Sequence, residues 1–120
     1  MIQEHDRVIA EINLDAIVHN IHQIRSQLSK STEIMAVVKA DAYGHGAVEV
    51  ARVLLENGVE RFAVAILDEG RQLRQCGVTI PILILGYTPV EQAEALVFFD
   101  LTQTVFTYEM AKAISDAAVK

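Results

Sequence analysis

Hydrophobic positions near the start of the chain follow a helical period. Large apolar residues recur at spacings of three and four, at Leu14, Ile17, Ile21, Ile24 and Leu28. This spacing predicts one apolar face of an amphipathic helix. Asn13 stands just before the first of these residues, where its side chain can cap the helix, and Asp15 in the first turn favours the helix dipole.

The rest of the chain alternates between short apolar runs and helical segments. The runs predict five strands, over residues 7–12, 33–38, 61–66, 82–85 and 101–106. Further helices are predicted over residues 47–57, 68–76, 89–98 and 108–118. Gly58 stands in a helix stop position, Pro89 suits a first helical turn, and Thr107 can cap the last helix. The alternation predicts an α/β fold in which parallel βα units are joined by right-handed crossovers.

Composition agrees with buried strands but does not choose between an open sheet and a closed barrel. The 120 residues suffice for one modest domain, and 52% of them are hydrophobic. The mean hydropathy of +0.28 is high for a soluble domain. Strands that are buried on both faces account for such a value, and so does a piece of a larger protein.

Charge and cysteine content exclude several classes of function. The net charge of −6 comes without a basic patch, so no nucleic-acid partner is expected. No apolar run is long enough to span a bilayer, and the first residues lack a signal-peptide core, so no membrane partner is expected. The single Cys76 rules out an internal disulfide, which indicates a reducing cytoplasm. We interpret Cys76 itself as a small packing residue.

The most informative stretch for chemistry runs from residue 34 to residue 46. A short apolar run ends abruptly at Lys39, and two glycines, Gly44 and Gly46, bracket His45 before the next helix. A lysine at the carboxyl end of a buried strand lies where α/β folds place catalytic groups. A neutral lysine amine attacks carbonyl groups. On spacing alone, however, a solvated lysine and two turn-forming glycines explain the pattern better.

Two histidines have a spacing that metal ligands can adopt. His19 and His22 are three residues apart on the first predicted helix, a spacing at which two side chains can share an ion. No third ligand is evident nearby, so a solvated helix face is predicted and no metal site.

The string VVKADAYGHG, at residues 37–46, closely resembles the cofactor-attachment motif of the alanine racemases, which are fold-type III pyridoxal phosphate enzymes. Three further segments also resemble that family, at residues 10–20, 62–74 and 81–86. The resemblance covers most of the chain but only the start of the family's length. It implies the first half of a (β/α)₈ TIM-type barrel. Residues 1–120 are then the N-terminal part of a barrel domain, with the rest of the barrel and a C-terminal β domain absent.

The resemblance also implies roles for individual residues. Lys39 would hold pyridoxal 5'-phosphate covalently and act as one of two catalytic bases. Tyr43 would hydrogen-bond the cofactor phosphate, although a tyrosine lining a loop is the ordinary alternative. Leu85 would form an apolar wall beside the cofactor, with strand packing as its alternative. Gly44 and Gly46 are interpreted as turn residues.

Other parts of the racemase machinery are not expected in this chain. In the family the second base is a tyrosine from the partner subunit, and two arginines that contact the cofactor ring and the substrate carboxylate come from later sequence. Tyr87 and Tyr108 do not match the second-base motif and are left unassigned. The 120 residues alone are therefore expected to be an inactive fragment.

The resemblance implies that the whole protein is a cytoplasmic homodimer. It would interconvert L- and D-alanine and so supply D-alanine for bacterial peptidoglycan. Two alternatives stay open. One is a pyridoxal phosphate-binding relative on the same barrel, such as a cofactor carrier or an amino acid decarboxylase. The other is a non-catalytic half-barrel that associates with itself.

Overall fold

The structure is a computed structural model that describes residues 8–120. Strands and helices alternate throughout this part of the chain. Its strands are β1 (Met35–Val37), β2 (Arg61–Val64), β3 (Ile82–Ile84) and β4 (Thr102–Gln103). Its helices are α1 (Leu14–Ser26), α2 (Lys39–Tyr43), α3 (Ala47–Glu56), α4 (Leu67–Gln75), α5 (Ala93–Phe98) and α6 (Tyr108–Ala118), with a 3₁₀ turn at Val90–Gln92.

The strands form one parallel sheet in the order β1-β2-β3-β4. Val37 pairs with Ala63, Ala63 pairs with Leu83, and Leu83 pairs with Thr102. Neighbouring strands are thus consecutive in sequence and are joined by helical crossovers. The predicted parallel α/β architecture is confirmed, and it places all four strand carboxyl ends at one end of the sheet.

The core lies between the sheet and its helices. Phe62, Val64, Ile82 and Ile84 are fully buried on this side. The other face of the sheet is largely open: Met35, Val37 and Leu85 each keep 41% of their surface exposed. The expectation that strands are buried on both faces therefore holds for β2, where Ala63 is also fully buried, but not for β1 or the end of β3.

Helix ends follow the local signals in the sequence. Asn13 Oδ1 accepts the N–H of Ala16 at 3.1 Å, and Thr107 Oγ1 accepts the N–H of Met110 at 3.2 Å. Each bond satisfies a backbone donor that the first turn of a helix leaves unpaired. Gly58 adopts a φ of +81°, the left-handed conformation that ends a helix.

A charged cluster at the amino end of the sheet joins α1 to β1. The Arg25 guanidinium donates to the Glu60 carboxylate at 2.7 Å and to the carbonyls of Thr32 and Gly58. Glu60 Oε2 also accepts the N–H of Ile34, the residue before β1, at 2.7 Å. The Ile34 N–H and the Arg25 guanidinium hold the pKa of the Glu60 carboxyl below its ordinary value. The ionised carboxylate thus fixes where β1 begins.

Three predictions of local structure were wrong. The expected first strand, residues 7–12, is irregular from residue 8 onward, and Arg7 lies outside the described residues. Val8 is 90% exposed and has no neighbouring strand to pair with, and pairing is what turns a β-rich run into a strand. Pro89 precedes a 3₁₀ turn, so α5 begins only at Ala93. Cys76, expected to pack, is exposed at the end of α4.

Candidate functional site

The candidate site lies at the carboxyl ends of β1 and β3. Lys39 follows β1 after one fully buried residue, Val38, and is itself half-buried. Leu85 follows β3, and its N–H continues the ladder by donating to Val64 O at 2.8 Å. Because the strands are parallel, Lys39 and Leu85 lie at the same end of the sheet, on strands that β2 separates.

The segment after Lys39 is a left-handed helical turn. Ala40, Asp41, Ala42 and Tyr43 have φ values of 49°, 54°, 52° and 56°, none of them glycine. Each such residue costs about 1–2 kcal/mol relative to the right-handed form. A run of this kind persists only where the surroundings impose it, and such strain is concentrated at functional sites.

Backbone bonds within and beside the turn support it. The Ala42 N–H donates to Val38 O at 3.0 Å, and the Gly44 N–H donates to Ala40 O at 3.1 Å. Gly44 also has a positive φ, of 85°, so the residue that ends the turn keeps the left-handed conformation. The prediction that Gly44 and Gly46 serve as turn residues is confirmed, since Gly46 also has a positive φ, of 91°.

Side chains make further hydrogen bonds around the turn. Asp41 Oδ1 accepts the N–H of Ala47, the first residue of α3, at 2.7 Å. His45 Nδ1 lies 2.9 Å from the carbonyl oxygen of Ala42, which makes this nitrogen the donor. Glu69 of α4 accepts the N–H of Ala40 at 2.8 Å. Asp41 therefore ties the loop to the start of α3, and the contact made by Glu69 was not predicted from the sequence.

The turn brings Lys39 and Tyr43 together. The Lys39 Nζ lies 5.9 Å from the centroid of the Tyr43 ring, within the range of a cation–π contact. Tyr43 is 61% exposed, so its hydroxyl is open to a ligand. Here an amine and a phenol lie together, and the apolar Leu85 follows β3, two strands away from β1 at the same end of the sheet. The amine can bond an aldehyde carbon, and the phenol can donate to an anionic group.

Other candidate positions do not join this site. His22 Nε2 lies 2.9 Å from Asn57 Oδ1 and links α1 to α3, while His19 is solvent-exposed. Among residues 8–120, no three His, Cys, Asp or Glu side chains gather as metal ligands. No helix in the same range is long and apolar enough to cross a membrane. A groove of about 310 Å³ between α3 and α4, which includes Cys76, lies on the outer helical layer.

The glutamate that sequence reasoning missed carried a weak signal. Glu69 stands at the third position of α4, where an acidic residue favours the helix dipole and can bond the preceding backbone. That position predicts a local cap. It does not predict a bond to Ala40, which is 29 residues away in the sequence and can be found only from the fold.

Comparison with known proteins gives a consistent result over nearly the whole chain. The family model for the alanine racemase N-terminal domain matches residues 12–120. Alanine racemase 1 of Clostridium acetobutylicum is 55% identical over 111 residues, which are 92% of this chain and 28% of that protein. The chain spans less than a third of the length of the curated relatives it matches.

Solved structures show the same arrangement of strands and helices. The alanine racemase of Clostridium difficile 630 superimposes with a TM-score of 0.87 at 47% identity, covering 90% of this chain and 29% of that one. A histidine racemase from Leuconostoc mesenteroides subsp. sake gives a TM-score of 0.84 at 34% identity, covering 98% of this chain and 31% of that one. The described sheet thus matches the N-terminal part of a TIM-barrel fold.

Proposed function

Because this chain belongs to the alanine racemase N-terminal domain family, we propose that the whole protein interconverts L- and D-alanine with pyridoxal 5'-phosphate. In this proposal Lys39 holds the cofactor covalently and later serves as a base. The observation that carries it is the strained turn that sets the Lys39 amine against the Tyr43 ring at the end of β1.

The residues present fit this cofactor chemically. The Lys39 amine can bond an aldehyde carbon, the Tyr43 hydroxyl can donate to a phosphate oxygen, and Leu85 offers an apolar surface at the same end of the sheet. When bound, pyridoxal phosphate withdraws electrons from the α-carbon of an amino acid and so acidifies its proton. The free Lys39 amine would then take or return a proton on one face of that carbon.

Racemisation needs a second acid or base on the opposite face. We propose that it comes from the partner subunit of a cytoplasmic homodimer. The arginines that bind the substrate carboxylate and face the cofactor ring would come from sequence outside these residues. The 120-residue chain by itself is therefore proposed to lack racemase activity.

The open face of the sheet is consistent with a barrel that further strands complete in the whole protein. Met35, Val37 and Leu85 are apolar and 41% exposed, and the outer sides of β1 and β4 have no strand partner within residues 8–120. Unpaired parallel edges and exposed apolar side chains favour association. We propose that the remaining strands of the barrel cover this face in the whole protein.

Alanine is proposed as the substrate on the basis of sequence similarity, and no feature of this sheet distinguishes it from other amino acids. Curated relatives at about half identity, such as Alanine racemase 1 of Clostridium acetobutylicum at 55%, are named alanine racemases, whereas a protein named histidine racemase has nearly the same fold over this chain. Residues beyond the described sheet would thus select the substrate side chain. Alanine is proposed because Alanine racemase 1 of Clostridium acetobutylicum is 55% identical to this chain, against 34% for the histidine racemase.

An assay of the whole protein tests the proposal. Purified wild type is incubated with L-alanine and pyridoxal phosphate, and D-alanine is measured by chiral chromatography, with L-histidine as the competing substrate. Lys39→Ala should abolish D-alanine formation. Lys112→Ala is the matched control, because Lys112 is exposed on α6 and pairs with Asp116 at 2.6 Å. Full activity in the Lys39→Ala variant would refute the proposed role of the lysine.

A further inference from the structure

The side chain of Glu69 connects two strand ends beside Lys39. Its Oε1 accepts the N–H of Ala40, the residue directly after the lysine, at 2.8 Å. Its Oε2 accepts the N–H of Ala65, just after β2, at 2.6 Å. A third and longer contact, of 3.4 Å, reaches the N–H of Ile66. One carboxylate therefore holds the backbones that follow β1 and β2 at a fixed separation.

Helix capping does not account for this arrangement. A glutamate at the third position of a helix ordinarily bonds the backbone N–H of the capping residue, here Ile66. That contact is the longest of the three, while the two short bonds go to Ala65 and across to Ala40. The carboxylate therefore serves mainly to link the segment after β1 to the segment after β2.

The sheet itself offers Ala40 no acceptor. The β1–β2 ladder continues past its last pair with the Val38 N–H donating to Ala63 O at 2.9 Å. The next carbonyl that faces this end, that of Ala65, accepts the N–H of Gly86 from the β3 side at 3.0 Å instead. Glu69 replaces the missing acceptor at the point where the chain leaves the sheet and turns left-handed.

We propose that Glu69 is a positioning residue for Lys39. Its bond to the Ala40 N–H holds the first residue of the strained turn in place. The conformation of the turn then places the Lys39 amine beside the Tyr43 ring. The inference deepens the proposed function and rests on it, since it concerns the same lysine. Glu69 itself is not proposed to touch the cofactor or the substrate.

Two variants of the whole protein separate this role from a purely structural one. Glu69→Gln retains the size of the side chain but has one acceptor oxygen and an amide donor, so it cannot accept from both strand ends. Glu69→Asp retains the charge at the start of α4 but is one methylene shorter, so it cannot span both. Asp68→Asn is the matched control, because Asp68 is exposed and pairs with Arg71 at 3.1 Å.

Four quantities are measured for each variant. They are the dissociation constant of pyridoxal phosphate, kcat and KM for alanine per cofactor-loaded site, and deuterium exchange of the peptide that contains Ala40. A displacement of about 1 Å can reduce a rate about a hundredfold, so kcat per loaded site should fall at least about tenfold in both Glu69 variants. The Ala40 peptide should exchange faster, and Asp68→Asn should match wild type.

A purely structural role would lower the folded fraction and so raise exchange in all peptides alike. It would leave kcat per loaded site unchanged and would not raise exchange of the Ala40 peptide above that of the other peptides. That result in Glu69→Asp, whether or not Glu69→Gln folds, would overturn the inference. Failure of wild type to load cofactor on Lys39 is a separate result. It would reject the proposed function, and the inference that rests on it would fall with it.

Discussion

Replacing Gly86 by alanine should destabilise the end of the sheet that carries the candidate site. Gly86 directly follows Leu85, and its φ lies outside the left-handed region, so the backbone conformation alone does not exclude alanine. The obstacle is close approach. A Cβ added at Gly86 would lie 2.5 Å from the carbonyl oxygen of Ala65, whereas the Gly86 N–H donates to that same oxygen at 3.0 Å.

The size of the effect follows from that distance. Close carbon–oxygen contacts in proteins lie at about 3.3–3.6 Å, so one backbone must move by roughly 0.8 Å or more. Inserting a methyl group into a packed region costs about 1–3 kcal/mol. Losing the Gly86–Ala65 hydrogen bond adds about 0.5–1.5 kcal/mol. The expected loss of about 2–4 kcal/mol is large beside the roughly 5–15 kcal/mol stability of ordinary proteins.

Gly70→Ala provides the matched control, since Gly70 is the other glycine of this chain without a positive φ. A Cβ there meets the end of the Leu101 side chain at 3.0 Å, and that side chain can move. Alanine inside a helix also gains about 0.5–1 kcal/mol over glycine. Urea denaturation of the 120-residue chain, followed by circular dichroism, should give a much lower midpoint for Gly86→Ala than for Gly70→Ala. Equal midpoints would refute the close-approach argument.

Three further changes have expected outcomes. Tyr43→Phe in the whole protein should weaken pyridoxal phosphate binding about tenfold or more, because a hydrogen bond to a charged group contributes about 1.5–3 kcal/mol; unchanged affinity in a titration would leave Tyr43 as a loop residue. The lowered pKa of Glu60 means that its ionised form stabilises the fold above the ordinary value of 4.5 and that this stability is lost as pH falls. The difference in urea midpoint between wild type and Glu60→Gln should therefore shrink from neutral pH to about pH 3, and a constant difference would contradict the role of the ionised carboxylate. Ala40→Gly should raise the melting temperature by a few degrees, because glycine adopts the φ of 49° without the penalty that alanine pays; a lower melting temperature would show that the turn is not strained at Ala40.

Features determined by near neighbours in the sequence were predictable. Asn13 and Thr107 cap their helices as expected, because a cap needs only the first turn that follows it. Lys39 was placed at the end of a strand because an apolar run stops there. The contact between Lys39 and Tyr43 agrees with their four-residue separation within one motif.

Features determined by distant residues were not predictable. Nothing in the composition of Ala40, Ala42 or Tyr43 indicates a left-handed turn, since glycine is the usual residue for that conformation. The turn depends on Glu69, whose bond to Ala40 exists only once α4 has packed beside the sheet. The missing first strand has a similar cause, because strand formation depends on a partner that the run itself cannot specify.

The most direct test of the central claim is to find where the cofactor attaches. The whole protein is incubated with pyridoxal phosphate and reduced with borohydride, and the labelled peptides are then mapped by mass spectrometry. The other lysines of this chain, Lys30, Lys112 and Lys120, serve as internal controls. We expect the label on Lys39, at one cofactor per chain, and none on these three. A label on any of them, or its absence from Lys39, would contradict the account.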